Sequence, residues 1–309
     1  SVGLKPREDA DRLRQILNLS KTSDGFLLEA HPKLRPVDAP TPGVFLAGCV
    51  ESPKDIKDSV TQASAAVARA STVLNAERLV VEAITAVVDR EKCTACGVCA
   101  RVCPFNAIKF DKEKKAPPEI IEAMCAGCGA CAAECRFDAI SQRHFTDEAL
   151  MAAVEAAVGE KGQERIVVFA CNWCSYAGAD GAGVARLQQP PNARLIRTMC
   201  SGRVAEKFIL RAFELGAAMV LVSGCHLADC HYINANSWTQ KRVDRLWDRL
   251  EKLGIRPERL QLEWISAAEG QKFARVMHEL EEMRRTVTAE EIEFTKKVLA
   301  EEREKEAAR

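Results

Sequence analysis

The sequence predicts a multidomain chain of mixed class: a cysteine-rich α+β unit followed by a doubly wound, mostly parallel α/β unit. Three observations predict it. Strand and helix patterns alternate from residue 163 to residue 285, as in sheets whose strands are joined by helical crossovers. Ahead of them, residues 76–150 carry eight cysteines in two clusters. Residues 1–75 hold a Pro-rich stretch and then an Ala-rich one. With 309 residues, 47% of them hydrophobic, the chain can build two or three domains with buried cores.

In order, "DGFLLEAHPKLRPVDAPTPGVFLAG" is expected to form two short strands around a Pro-rich loop. From Asp55 to Leu74, apolar residues recur at helical spacing in an Ala-rich run, which predicts a packed helix. In 163–285 the expected strands are "RIVVFA", "ARLIRTM", "AAMVLVSG" and "LQLEWIS". The helices following them are "AGVARLQ", "VAEKFILRAFELG", "SWTQKRVDRLWDRLEKLG" and "EGQKFARVMHELEEM". Residues 286–309 are charge-dense, with i,i+4 Glu–Lys/Arg pairs, and read as an exposed helix or frayed tail. The opening "SVGLKP" has no Met and looks cut in mid-element, so a piece of a longer chain is expected.

Basic and acidic residues balance at 44 each. A nucleic-acid partner would need a clustered excess of Lys and Arg. No apolar run reaches the ~18–20 residues of a membrane span, so no transmembrane segment is expected. The N-terminus lacks a signal-peptide pattern, which points to the cytoplasm. The fourteen cysteines are clustered. In a chain with ample core they suit metal ligation in a reducing compartment better than a disulfide scaffold.

Residues 93–104 read "CTACGVCARVCP" and residues 125–136 read "CAGCGACAAECR", both C-x2-C-x2-C-x3-C. The repeat continues, since "FNAI" at 105–108 matches "FDAI" at 137–140 at the same 32-residue offset. A duplicated unit with a pseudo-two-fold axis follows. A [4Fe–4S] cube needs four thiolates around a small core. One tight loop supplies three, and Gly97 and Gly129 let it bend close. As in two-cluster ferredoxins, the fourth ligand comes from the other motif. Cys93, Cys96, Cys99 and Cys135 are thus expected to hold one cluster, and Cys125, Cys128, Cys131 and Cys103 the other. Pro104 follows Cys103 as the motif expects; Arg136 replaces the second Pro. A pair of zinc ribbons would space its CxxC units further apart.

Cys171, Cys200 and Cys225 follow the first three strands of the α/β unit; Cys174 and Cys230 lie close by. Ligands of open α/β sheets sit beyond the carboxyl ends of strands, near a switch in strand order. Neighbouring strands are ~4.8 Å apart, so three strand ends can surround one small cluster. Four of these five cysteines are expected to hold a [2Fe–2S] cluster. Helix N-termini after the strands would favour its negative charge. The rivals are a dithiol at Cys171 and Cys174, a zinc site using His226 or His231, and inert buried thiols. "GADGAG" at 178–183 is too weak to be a phosphate loop.

At these residues a resemblance enters. "CNWCSYAGAD", "MCSGRV", "GCHLADCHY" and "LEWISAAEG" resemble the iron–sulfur D subunit of methyl-viologen-reducing hydrogenase, over about 163–285. "GVFLAGCVESPKDIKDSVTQAS" followed by the two-cluster unit resembles the C-terminal part of the heterodisulfide reductase A subunit, over about 1–150. Together they resemble fusions found in quinone-interacting or electron-bifurcating complexes. The resemblance implies a flavoprotein segment at 1–75, the C-terminal part of an FAD-binding domain. It implies that "TPGVFLAG" is the late strand facing the flavin, with Gly48 and with Cys49 at the position where many flavoproteins carry Asp. Lys54 and Asp55 would start the helix that points at the ring. The GxGxxG fingerprint of such domains is missing and would lie upstream. A full FAD site is not expected from this chain alone.

The expected function is electron transfer in a heterodisulfide-reductase-like anaerobic complex. Partners would be other subunits of that complex, with a hydrogenase or formate dehydrogenase as donor. No general acid, base or substrate pocket is visible, so bond chemistry is left to partners. The alternatives are a thiol–disulfide oxidoreductase using Cys171 and Cys174, and a docking or redox-sensing module with structural clusters.

Overall fold

The computed structural model of the chain describes residues 3–17, 19, 21–22, 24–30, 35–39, 41, 43–78, 83–227 and 229–307. Helix α1, Ala10–Leu17, opens the chain and buries no residue. Among the described residues, the two strands expected in 24–48 are not continuous. Single antiparallel bridges, Lys21–Leu27 and Asp38–Phe45, stand in their place. Pro36 falls between them, and proline has no N–H to give a ladder. Leu19, Leu27, Ala39 and Leu46 still gather into a small core.

Helix α2, Ile56–Leu74, forms where the periodicity predicts it, capped by Asp55, which accepts from the Asp58 amide at 2.7 Å. It is not the packed helix expected: none of its residues is buried. Ala, Ser and Thr fill most of its inner positions, and Ile56, Val60, Val67 and Leu74 face outward.

The duplicated unit is a pair of crossed halves. The first half is β1, Ala86–Val88, helix α3, Val98–Val102, and β2, Ile108–Lys109. The second is β3, Glu119–Ile120, helix α4, Ala130–Ala133, and β4, Ile140–Gln142. β1 pairs antiparallel with β4 and β2 with β3, so each half closes its sheet with the other. Helix α3 follows Gly97 at φ 74° and α4 follows Gly129 at φ 76°, the left-handed turn that glycine adopts without strain.

Helix α5, Asp147–Val158, comes next. Its Leu150, Val154 and Val158 belong to the core of the following sheet, so residue 150, expected as the edge of a domain, lies inside a helix shared with the next unit. That sheet contains β5, Ile166–Cys171; β6, Ala193–Thr198; β7, Met219–Gly224; and β8, Leu260–Trp264. All pairs are parallel, in the order β6-β5-β7-β8. β5 and β7 are buried throughout. Alternate residues feed opposite faces. Val167, Phe169, Val220 and Val222 join the core under α5, helix α7 (Glu206–Glu214) and helix α8 (Ala235–Lys252). Ile166, Val168, Met219 and Leu221 join the core under helix α6 (Ser175–Val184) and helix α9 (Gly270–Thr286). Helix α6 starts and ends earlier than "AGVARLQ" suggests.

The C-terminal helix α10, Ala289–Ala307, is not an exposed tail. Ile292 and Leu299 are buried in the two cores, and Thr295 accepts from the buried Arg259 Nη1 at 2.6 Å. Arg259 also donates to the carbonyls of Ala217 and Ala218, at 2.9 Å each. No helix among the described residues is long and apolar enough to cross a membrane.

Candidate iron–sulfur centres

The duplicated unit gathers its cysteines across the two halves. The Cys99 thiol, pushed up to about 11 by burial, has Cys96, Cys135 and Cys93 as its charged neighbours. Cys103, Cys125, Cys128 and Cys131 line one cavity, together with Gly127, Gly129, Phe105 and Ile108. Burial pushes Cys128 up to about 12, with Cys103 and Cys125 beside it. The structure thus brings each of these groups of four cysteines together across the two halves. Thiols this dry do not ionise without a cation to offset the cost. No disulfide forms among the described cysteines. Backbone amides are already turned toward sulfur: Ala86 N lies 3.4 Å from Cys125 Sγ and Ala139 N 3.4 Å from Cys135 Sγ. A compact, thiolate-only donor set with amides aimed at it fits a [4Fe–4S] cluster in each half.

The loop glycines are needed for space as well as for φ. A Cβ on Gly97 would stand 2.4 Å from Phe110. A Cβ on Gly129 would stand 2.5 Å from both Arg203 Cδ and Gln142 Oε1.

At the carboxyl edge of the parallel sheet, β6, β5 and β7 are adjacent, and the order reverses at β5. Cys171 ends β5, Cys225 follows β7, and Cys200 lies just after β6. The residues between β7 and α8 bring in Cys230. All four are buried, whereas Cys174 is half-buried. The buried four form a closed ring of contacts. Hydrogen bonds from Cys200 and Cys225 hold Cys171 well below an ordinary thiol, and hydrogen bonds from the same two hold Cys230 low. The same contacts and burial hold Cys200 and Cys225 well above it. Cys171 and Cys225 sulfurs are 3.8 Å apart. Cys174 touches Cys225. Gly202 N approaches Cys200 Sγ at 3.3 Å.

The rival readings lose ground here. A thioredoxin-type dithiol needs a reachable pair, but Cys171 is fully buried and lies against Cys200 and Cys225. For zinc, neither histidine turns to the ring. His226 Nε2 bonds Glu269 at 2.6 Å. His231 stacks on Trp173 with ring centroids 3.8 Å apart, and burial pulls it down to about 4. Among the described residues no group of three His, Cys, Asp or Glu side chains is placed to hold a single metal ion.

The two regions share one apolar cluster. Cys128, Cys103 and Cys125 pack with Cys200, Cys230, Phe105, Tyr232 and Trp173. Trp173 donates to the Tyr232 hydroxyl at 2.9 Å, and Phe105 meets the Tyr232 ring edge-on. Spacing could not foresee this junction. It arises because the short 3₁₀ turn Ser201–Arg203 after Cys200 packs on α4.

The N-terminal residues meet in one corner. Gly48, at φ 73°, donates to Gln62 Oε1 at 2.7 Å. Cys49 is exposed, and its Sγ reaches the Lys54 carbonyl at 3.5 Å. Lys54 pairs with Glu51 and Ser52. Asp55 is occupied as the α2 cap.

Comparison with known proteins places both regions. Residues 166–287 match the family of the methyl-viologen-reducing hydrogenase delta subunit. Residues 86–109 and 118–141 each match the 4Fe-4S binding domain, which supports two [4Fe–4S] clusters. The A subunit of the ferredoxin:CoB-CoM heterodisulfide reductase of Methanosarcina mazei is 45% identical over 280 residues, 90% of this chain and 35% of that protein. The A subunit of the H(2):CoB-CoM heterodisulfide,ferredoxin reductase of Methanothermobacter marburgensis is 54% identical over 159 residues, 52% of this chain and 24% of that protein. The iron-sulfur D subunit of the F(420)-non-reducing hydrogenase vhc of Methanococcus voltae is 52% identical over 123 residues, 40% of this chain and 85% of that protein. The chain therefore spans about a third or less of the heterodisulfide reductase relatives, but most of the hydrogenase one. Through residues 166–287 it belongs to the methyl-viologen-reducing hydrogenase delta-subunit family, here carried in one chain behind a duplicated 4Fe-4S binding domain.

Proposed function

We propose that this chain relays electrons within a heterodisulfide-reductase-like oxidoreductase complex, between the edge of its parallel sheet and its duplicated ferredoxin unit. The observation that carries the reading is the shared apolar cluster in which Cys128 neighbours Cys230. Iron–sulfur clusters supply one-electron carriage, with potentials set by charge, hydrogen bonds and exposure. Everything else falls to the chain's own side chains. Cys93, Cys96, Cys99 and Cys135 would hold one [4Fe–4S] cluster, and Cys103, Cys125, Cys128 and Cys131 the second. Cys171, Cys200, Cys225 and Cys230 would hold a [2Fe–2S] cluster, with Cys174 the spare. Phe105, Tyr232 and Trp173 keep water from the gap between the second and third sites.

The proposed division is a segment at 1–75, the ferredoxin unit at 76–150, the hydrogenase-like α/β unit at 163–285 and a closing helix, with α5 packed on the α/β side. The FAD contact expected at 1–75 would be a partial site completed by a missing or separate domain; here Lys54 pairs with Glu51 and Ser52 and Asp55 caps α2, and no step is routed through a flavin. The partners proposed are the other subunits of such a complex, with a hydrogenase or formate dehydrogenase as electron donor.

The test is iron and sulfide analysis with EPR on anaerobically purified, stepwise-reduced protein. About ten irons per chain with a binuclear signal beside two cubanes supports the inventory. About eight irons and no binuclear signal overturns the third site and leaves two cubanes.

A further inference from the structure

The turn Ser201–Arg203 carries a charge that the cysteine ligation does not account for. Arg203 is wholly buried. Its Nε and Nη2 donate to the Phe145 carbonyl at 3.1 and 2.9 Å, and Nη2 also reaches Asp147 at 2.5 Å. Nη1 has no partner among the described residues, although it too is buried. An orphaned donor of a buried guanidinium is costly and is rare in native proteins. The side chain lies against the loop of the second ferredoxin motif, since a Cβ on Gly129 would sit 2.5 Å from Cδ and 3.0 Å from Cβ of Arg203. Gln142 meets Gly129 from the same side; its Nε2 holds the Gly127 carbonyl and its Oε1 is likewise unpartnered among the described residues. The Arg203 stem and Gln142 Oε1 thus converge on Gly129, where there is room for nothing larger than hydrogen.

The neighbouring buried cation is differently placed. Arg242 is also buried, but Glu134 takes its Nε and Nη2 at 3.1 and 2.8 Å, and the Val204 and Gly202 carbonyls take the rest. Its carboxylate is itself only 10% exposed, although Arg245 shares it at 3.5 Å. Arg203 shares its carboxylate, because Asp147 also pairs with Lys207 at 2.5 Å. Asp147 is partly open to solvent and Arg203 is not. Water screens the anion better than the cation, and a net positive field remains on the inner side of Gly129.

We propose that Arg203 is a tuning residue for the cubane assigned to Cys103, Cys125, Cys128 and Cys131, its buried charge against the Gly129 loop raising that cluster's reduction potential above that of the Cys93 cubane. Hydrogen bonds and net charge are the levers by which a protein moves such potentials. The consequence is directional: of the two cubanes, the one beside Cys230 is the easier to reduce. The proposal rests on the ligand sets proposed above for the cubanes, and does not require the binuclear site.

The test is an EPR-monitored redox titration of the anaerobically purified full chain, wild type against Arg203→Met, Arg203→Lys and Asp147→Asn. In the wild type, the cubane whose signal couples magnetically to the binuclear centre is the one at Gly129, because Cys128 neighbours Cys230. If no binuclear signal exists, the cubane pair is still resolved, and the shift is read on whichever member moves. Arg203→Met keeps the iron content and lowers the reduced-to-oxidised ratio of that cubane about tenfold at fixed poise, which is 59 mV for one electron. Arg203→Lys restores part of the loss. Asp147→Asn moves the same cubane the other way, because it strips the guanidinium of its counter-charge. If Arg203→Met proves unable to hold iron, the upward shift in Asp147→Asn decides alone. Full iron with unchanged potentials in Arg203→Met overturns the proposal, as does an equal shift of every centre or a downward shift in Asp147→Asn.

Discussion

Cys171 and Cys174 are three residues apart, yet they end in different surroundings. Cys171 finishes a buried strand and points into the thiol ring; Cys174 sits one turn on, half-buried, against Cys225. That five cysteines would compete for one site was legible from the strand-end positions. The identity of the odd one was not, because it depends on how the turn before α6 aims each side chain. The ring makes the choice testable. Cys174→Ser should keep about ten irons and the binuclear EPR signal. Serine at 171, 200, 225 or 230 should each cost about two irons. An intact binuclear signal in any of those four, or its loss in Cys174→Ser, would reassign the ligands.

At the scale of elements, sequence legibility followed local determinism. β5 and β7 are uninterrupted apolar runs, and such runs have few alternatives in a sheet covered on both faces. The bridges near residues 21–47 were harder, because a proline-rich stretch can approach a neighbour without forming a ladder. α2 and α10 show the opposite error in each direction. The periodicity of α2 is real but meets no core, while α10 has a charged sequence whose few apolar residues, Ile292 and Leu299, are the ones that dock. The cluster loop of α4 gives a sharper test. Gly129→Ala forces a left-handed non-glycine residue and a clash with Arg203. A cost above about 2 kcal/mol is expected from the left-handed conformation and overpacking together. Gly183, in α6, meets nothing within 4 Å, and alanine there should stabilise by about 0.5–1 kcal/mol. Denaturant midpoints of the two variants should therefore move in opposite directions; a shared direction refutes the packing account of Gly129.

For the molecule as a whole, the ferredoxin unit and the sheet are joined by buried charge. Glu134, next to Cys135, is 10% exposed and holds Arg242 of α8, itself 2% exposed. Removing one partner strands the other in a dry site, which typically costs about 3–5 kcal/mol. Glu134→Ala should accordingly split a single thermal transition into two, the ferredoxin unit melting first while the sheet holds. One unchanged transition by calorimetry would show that the apolar cluster alone joins the units. None of this junction was legible beforehand, since Glu134 and Arg242 are 108 residues apart, Glu134 fills a variable position of the second motif and Arg242 belongs to none.

The three-residue turn Ser201–Arg203 has a mechanical consequence. On one side it continues from Cys200 in the sheet site; on the other, Gly202 lies so close to α4 that an added Cβ would sit 3.3 Å from that of Ala130. So short a link has no slack, and rotation of one unit against the other would tear Arg203 from Phe145 and Arg242 from Glu134 together. Hinge gating needs a few residues free to absorb large backbone changes. This junction has none, so a gate on electron flow must be sought at the ends of the relay, where it meets other surfaces.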